Sequence, residues 1–153
     1  MIRRLIIDGY SLLYRDPSLA HLRPHDMRQA RERLIRKIDR LAHALAQRVE
    51  IVFDGRSASS EPYRAGNLHL TYSPEHQTAD AVIEQSVHAD PAPAEICVVT
   101  ADTLERNTVT AVNAQAMSCV SFLEWLDRLD RDVVREQKRT PPPRFTLGDA
   151  FPE

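Results

Sequence analysis

Glycine is scarce in this chain, four in 153 residues and none clustered, so no glycine-rich loop exists to cradle a phosphate. Cysteine is scarcer still. Cys97 and Cys119 each lie in an apolar run with no Cys or His at ligand spacing, which argues against a metal pair and for free buried thiols in a reducing compartment. His21, His25, His43, His69, His76 and His88 show no HxxxH spacing and read mostly as surface residues, which disfavours zinc. No apolar run approaches the ~20 residues of a membrane span. Met1-Ile2-Arg3-Arg4 leads into only three apolar residues before Asp8; no secretory signal is visible, and the expectation is a cytoplasmic protein without membrane contact. Neither sign of charge dominates, the formal net charge being -2, so any nucleic-acid contact must come from a local patch. No GxSxG elbow is present. Asp8-Gly9-Tyr10-Ser11 is neither the DxDx(T/V) of an aspartyl-phosphate phosphatase nor the DxSxS of a metal-dependent adhesion site.

What the chain does have is hydrophobic runs that end in an acid. Ile6-Ile7-Asp8, Ile51-Val52-Phe53-Asp54 and Cys97-Val98-Val99-Thr100-Ala101-Asp102 all read as strand followed by carboxylate. With 42% hydrophobic residues, the length suits one domain with a real core. If the strands are parallel neighbours, the acids converge at one sheet edge. Clustered carboxylates repel and resist desolvation, so a fold keeps them mainly where something positive sits between them. A divalent metal fits that role, and metal-assisted phosphodiester cleavage is the chemistry such sites perform.

Strand and helix patterns alternate. Residues 4–8 predict a strand, 12–25 a short helical turn and loop punctuated by Pro17 and Pro24, and 26–48 one long helix capped by Asp26. Met27, Ala30, Leu34, Ile38, Leu41 and Leu45 give that helix its apolar stripe. Arg33, Arg36, Lys37 and Arg40 fall opposite and read as a solvated face laced with Glu32 and Asp39; the alternative is a docking surface for RNA or a ribonucleoprotein. Strands follow at 49–53, 68–72 and 96–100, with a marginal one at 116–120. The stretch 55–67 reads as loop. A helix from Thr78 or Ala79 buries Ala79, Val82, Ile83 and Val87, a weakly marked helix follows Asp102, and a last amphipathic helix spans 121–136. The expected architecture is α/β, a three-layer sandwich with a central, mostly parallel sheet of four to five strands flanked by helices. Residues 1–136 form the domain, and 137–153, with Pro141-Pro142-Pro143, an appendage that either straps across it through Phe145, Leu147 and Phe151 or binds a partner.

In such sheets ligands bind at the carboxyl ends of the strands, where Asp8, Asp54 and Asp102 stand. A turn aspartate bonding its own backbone would explain Asp8 alone, and a helix N-cap would explain Asp102. Asp54, before Gly55, ranks below them as a direct ligand. Asp80 and Glu84, spaced i, i+4, are neighbours on a helix surface with no base between them; they are either solvated acids at a helix start or partners of a cation. Ser11 and Thr100 are placed to support the acids. Carboxylates with hydroxyls suit magnesium or manganese.

Ile6-Ile7-Asp8-Gly9-Tyr10-Ser11-Leu12-Leu13, Val52-Phe53-Asp54, Gln77-Thr78-Ala79-Asp80-Ala81-Val82-Ile83-Glu84 and Val98-Val99-Thr100-Ala101-Asp102 together resemble the YacP-like branch of the NYN domains, in the wider PIN-like nuclease group. The resemblance covers about residues 2–130, and Thr78-Ala79-Asp80 through Glu84 is its most specific part. It implies a metal-dependent endoribonuclease of PIN-like fold, acting in at least some members on translating ribosomes, with Asp8, Asp80 and Asp102 in the positions of the family's acids. The chain departs from the family at Ser11, where Asn is usual, and at Ala101, where Ser is usual. The opening also resembles the 5′-nuclease domain of bacterial DNA polymerase I, through Asp8, Gly9, Ser11 and Tyr14-Arg15, although that family's helical arch has no room here.

Three readings follow. In the first, Asp8, Asp80 and Asp102 hold magnesium or manganese for hydrolysis of RNA, with mRNA on the ribosome as one form of substrate. Glu84 and Asp54 orient water with Ser11 in support, Arg56 and Arg64 meet phosphates, and Tyr10 or Tyr63 stacks on an unpaired base. The second, motivated by Ser11 and Ala101, is a catalytically weak or inactive RNA- or protein-binding module. The third is a small-molecule phosphate hydrolase.

Overall fold

Side chains that alternate between two buried faces make the centre of this molecule. Leu5 and Ile7 of the first strand join one apolar cluster, while Ile6 between them joins another, as the two-residue period of a strand requires. The computed structural model describes residues 2–23, 25–55 and 63–139. Six strands form one sheet: β1 (Arg4–Asp8), β2 (Arg48–Phe53), β3 (Tyr63–Ala65), β4 (Leu68–Tyr72), β5 (Ile96–Val99) and β6 (Gln115–Met117). Their order is β3-β4-β2-β1-β5-β6, and every pairing is parallel except that of β3 with β4.

Helices cover both faces. On one side α1 (Gly9–Arg15), α2 (Met27–Asp39), α3 (Ala42–Leu45) and α6 (Cys119–Arg139) contribute to the cluster around Leu5, Ile7, Phe53 and Phe122. On the other, α4 (Ala79–Ala89) and α5 (Thr103–Ala111) bury Ile83, Val87 and Val109 against Ile6, Val52 and Val98. The expected three-layer α/β sandwich is present, with six strands rather than four to five.

Three local differences have physical reasons. The apolar stripe read as one helix over 26–48 is divided into α2 and α3 at Arg40-Leu41, where Leu41 takes φ -112° and ψ 3°. Leu41, Ala42 and Leu45 remain buried, so the pattern of apolar residues carries no mark of the break. β3 lies in a stretch read as loop. Gly66, at φ +56°, opens a two-residue turn with Asn67 that pairs Ala65 with Leu68, and the Asn67 side-chain amide donates to the carbonyls of Ala42 and Ala46, each at 3.0 Å. β6 spans Gln115–Met117 and ends earlier than expected because Ser118 accepts the Ser121 amide at 3.1 Å and starts α6. That helix continues to Arg139. Pro24, Arg56 and the proline-rich segment from Thr140 onward lie outside the described residues.

The amino-terminal rim of the sheet is neutralised. Arg4 donates to both oxygens of Glu50 at 2.8 Å and to Asp90 at 2.7 Å, and Arg3 reaches Asp90 and Glu95. Burial works to raise the Asp90 pKa, but the Ala92 amide and the two guanidiniums override it and hold the value at about 2. The carboxyl-terminal rim is different. From β1 the chain winds outward through β2 and β4, then crosses back to β5 and β6, so the switch in winding lies between β1 and β5. In parallel α/β sheets that is where ligands bind.

Candidate metal centre

Each acid at this rim is placed by a helix start. Asp8 closes β1 and caps α1, its carboxylate accepting the Ser11 amide at 3.3 Å. The helix begins at once because Gly9 has no side chain; a Cβ there would come within 2.4 Å of the Phe53 ring. Asp80 is the second residue of α4, which Thr78 caps by accepting the Ala81 amide at 3.2 Å. Glu105 is the third residue of α5, which Asp102 caps by accepting the Leu104 amide at 2.9 Å.

Asp8, Asp80 and Glu105 meet. Each offers a carboxylate oxygen, and these atoms lie within 4.8 Å of one another. Asp8 and Glu105 are nearly sealed from solvent, at 7% and 2% exposure. Burial, then Asp80 beside it, raises the Asp8 pKa to about 7, against the pull of the Ser11 amide and hydroxyl. Burial again, then Asp80, raises Glu105 to about 9, with the Thr100 hydroxyl acting the other way. Neither neighbour gives Glu105 a hydrogen bond of ordinary geometry. Both its oxygens are buried without a partner among the described residues. A buried carboxylate in that state is costly, and a cation is what the donor set lacks. Three carboxylates without Cys or His are the ligands of a hard ion such as magnesium or manganese.

Asp8 and Asp80 open into a cleft of about 840 Å³, lined also by Tyr10, Ser11, Arg15, Arg31 and Asp54. The fold and these acids can be set beside known proteins. The family model for the YacP-like NYN domain matches residues 5–148. This chain belongs to that family. Within it, the chain is 25% identical to the protein YacP of Bacillus subtilis (strain 168) over 138 residues, 88% of this chain and 81% of that protein. The crystal structure of Rae1 (YacP) from Bacillus subtilis matches with a TM-score of 0.76 at 25% identity, covering 88% of this chain and 79% of that one. A point mutant of the same protein matches with a TM-score of 0.74 at 24% identity, covering 90% and 82%. YacP-like NYN domains are nuclease-like and belong to the wider PIN-like group.

The residues expected to carry chemistry in this NYN domain are distributed unevenly. Asp8 and Asp80 come together, and the carboxylate that joins them within 4.8 Å is Glu105 rather than Asp102. Asp102 is exposed, and its carboxylate is engaged at the start of α5. Glu105 lies one helical turn later. Sequence reasoning missed it, and the local pattern points elsewhere. Asp102-x-x-Glu105 has the spacing of a capping box, in which the acid reaches back to the cap amide. Here the Thr100 hydroxyl accepts that amide at 3.2 Å, leaving Glu105 for the cluster.

Ser11 lines the cleft, and its backbone amide, which Asn would equally supply, bonds Asp8. Asp54 lines the cleft without joining the trio, and Glu84, partly buried on α4, is also outside it. Tyr10 lines the cleft and accepts from Arg31 at 3.3 Å. Tyr63 and Arg64 are exposed on β3 and do not line it. No described helix is long and apolar enough to cross a membrane.

Proposed function

We propose that this protein is a metal-dependent endoribonuclease that hydrolyses RNA phosphodiester bonds. One observation carries the reading: three carboxylates from distant parts of the chain meet within 4.8 Å, and the most buried of them has no hydrogen-bond partner among the described residues. Asp8, Asp80 and Glu105 would hold the ion. Bound there, magnesium or manganese supplies positive charge to a phosphate and acidity to a water molecule.

The remaining steps belong to side chains of the cleft. Ser11 fixes the Asp8 carboxylate from the first turn of α1. Asp54, at the end of β2 on the same rim as Asp8, orients the attacking water, and Glu84 supports Asp80 from the next turn of α4. Arg15 and Arg31, which line the same cleft, meet the phosphates flanking the scissile bond. Tyr10 and Tyr14 offer ring faces to unpaired bases. The cytoplasm is the proposed compartment, and messenger RNA presented on ribosomes is the finer substrate this reading extends to.

The test uses a 5′-labelled single-stranded RNA, free and within polysomes, with manganese or with EDTA. Cuts are expected with manganese, and are expected to vanish with EDTA and in Asp80→Asn and Glu105→Gln. Cutting that survives chelation, or no cutting of either substrate, refutes the reading.

A further inference from the structure

A second cleft, of about 490 Å³, runs between α2 and the β3–β4 hairpin. Arg31 lines both clefts, so the two share a wall. Arg28 and Arg36 extend that wall along the helix, and Tyr63 and Tyr72 face them from the hairpin.

The chemistry of this groove is one-sided. Three arginines and a single carboxylate, Glu32, line it. Glu32 pairs with Arg28 at 3.4 Å, whereas Arg31 and Arg36 have no carboxylate partner among the described residues. Tyr63 is 53% exposed, so its ring is accessible from the groove. The two clefts are also joined beneath their floors, through the fully buried ring of Phe53. Tyr10, in the acid-bearing cleft, packs edge-on against Phe53 at 5.0 Å, and Phe53 stacks on Tyr72 at 5.9 Å. Guanidiniums beside accessible rings fit a polyanion carrying flat, unpaired bases. There is also a physical need for such a surface. Three carboxylates repel a phosphodiester, so the strand must be held by charges outside the cluster.

We infer that the groove between α2 and the β3–β4 hairpin is the track for single-stranded RNA running to or from the cleavage site, with Arg28, Arg31 and Arg36 on its phosphates and Tyr63 stacked on a base. The inference rests on the nuclease reading for the direction of the strand, but it is testable apart from it.

Binding is measured by fluorescence anisotropy on the full chain carrying Asp80→Asn, in EDTA, with a labelled single strand of about twelve nucleotides. Arg36→Ala should weaken binding and flatten the dependence of log K on log salt by about 0.7. Tyr63→Ala should weaken binding roughly tenfold, and Tyr63→Phe should restore it, since the ring and not the hydroxyl stacks. If these variants bind like their parent, or lose affinity equally for a duplex of the same sequence, the track is overturned even where metal-dependent cutting is found. If they lose single-strand affinity while the unmodified chain never cuts, the track stands and the nuclease reading falls.

Discussion

Replacing Glu105 with glutamine should make the metal-free protein more stable, not less. Glu105 is 2% exposed and its pKa is raised to about 9, first by burial and then by Asp80, against about 4.3 in an unfolded chain. Between those values the folded state keeps a proton that the unfolded state has released. More protons on the folded side means stability falls as pH rises, by about 1.4 kcal/mol per pH unit for one group. From pH 5 to pH 8 that amounts to about 4 kcal/mol. At pH 5 the folded side chain is neutral while the unfolded one is mostly ionised, so the variant should lead by only about 1 kcal/mol. At pH 8 in EDTA that lead should have grown by up to about 4 kcal/mol. The Asp8 pKa is also raised, to about 7, with the same sign, and because Asp8 and Glu105 share one cluster their titrations are linked, which makes about 4 kcal/mol the upper value of the difference between the two pH values. Manganese should narrow the gap between the two proteins. At a hundred times its dissociation constant it adds about 2.7 kcal/mol to a chain that binds it, and Glu105→Gln should gain little. Urea unfolding at pH 5 and 8, with EDTA and with manganese, reads all four cases. The reasoning is refuted if the variant is no more stable than the parent at pH 8 in EDTA, or if manganese stabilises both alike.

Two further outcomes follow from the same geometry. Asp102→Ala removes the α5 cap and should lower stability by about 1 kcal/mol, yet it should retain manganese-dependent cleavage, because the cluster is formed by Glu105; loss of cleavage at unchanged fold by circular dichroism would restore Asp102 as a ligand. Gly9→Ala brings a Cβ to 2.4–2.8 Å from three Phe53 ring atoms and should destabilise by about 1–3 kcal/mol. A thermal melt of this variant that overlays the parent's would show that the ring gives way freely.

The layers were legible because burial on both faces leaves continuous apolar runs, as in Ile96–Val99, and because Ala79, Ile83 and Val87 repeat at helical steps. Asp8 was legible for the same reason, since an acid closing such a run must emerge at a sheet edge. The third member of the cluster was not. Glu105 sits in the first turn of a helix, where an acid is ordinarily favoured by the helix dipole and faces solvent, and nothing in its neighbours distinguishes it from that case. Its burial comes from tertiary packing of α4 and α5, which no local pattern encodes. The break between α2 and α3 stayed hidden because apolar spacing runs through it. The β3–β4 hairpin had a local signal in Gly66-Asn67, but three residues of strand are too few to show an alternation.

The strand at the middle of the sheet is also the first of the six in sequence order. Asp8 precedes Asp80 by 72 positions and Glu105 by 97, and β1 finds its partners only when β2 and later β5 exist. A chain interrupted before α5 holds two of the acids and no enclosed cluster. The centre thus needs β1, α4 and α5 together, and a fragment that stops short of α5 lacks its third carboxylate.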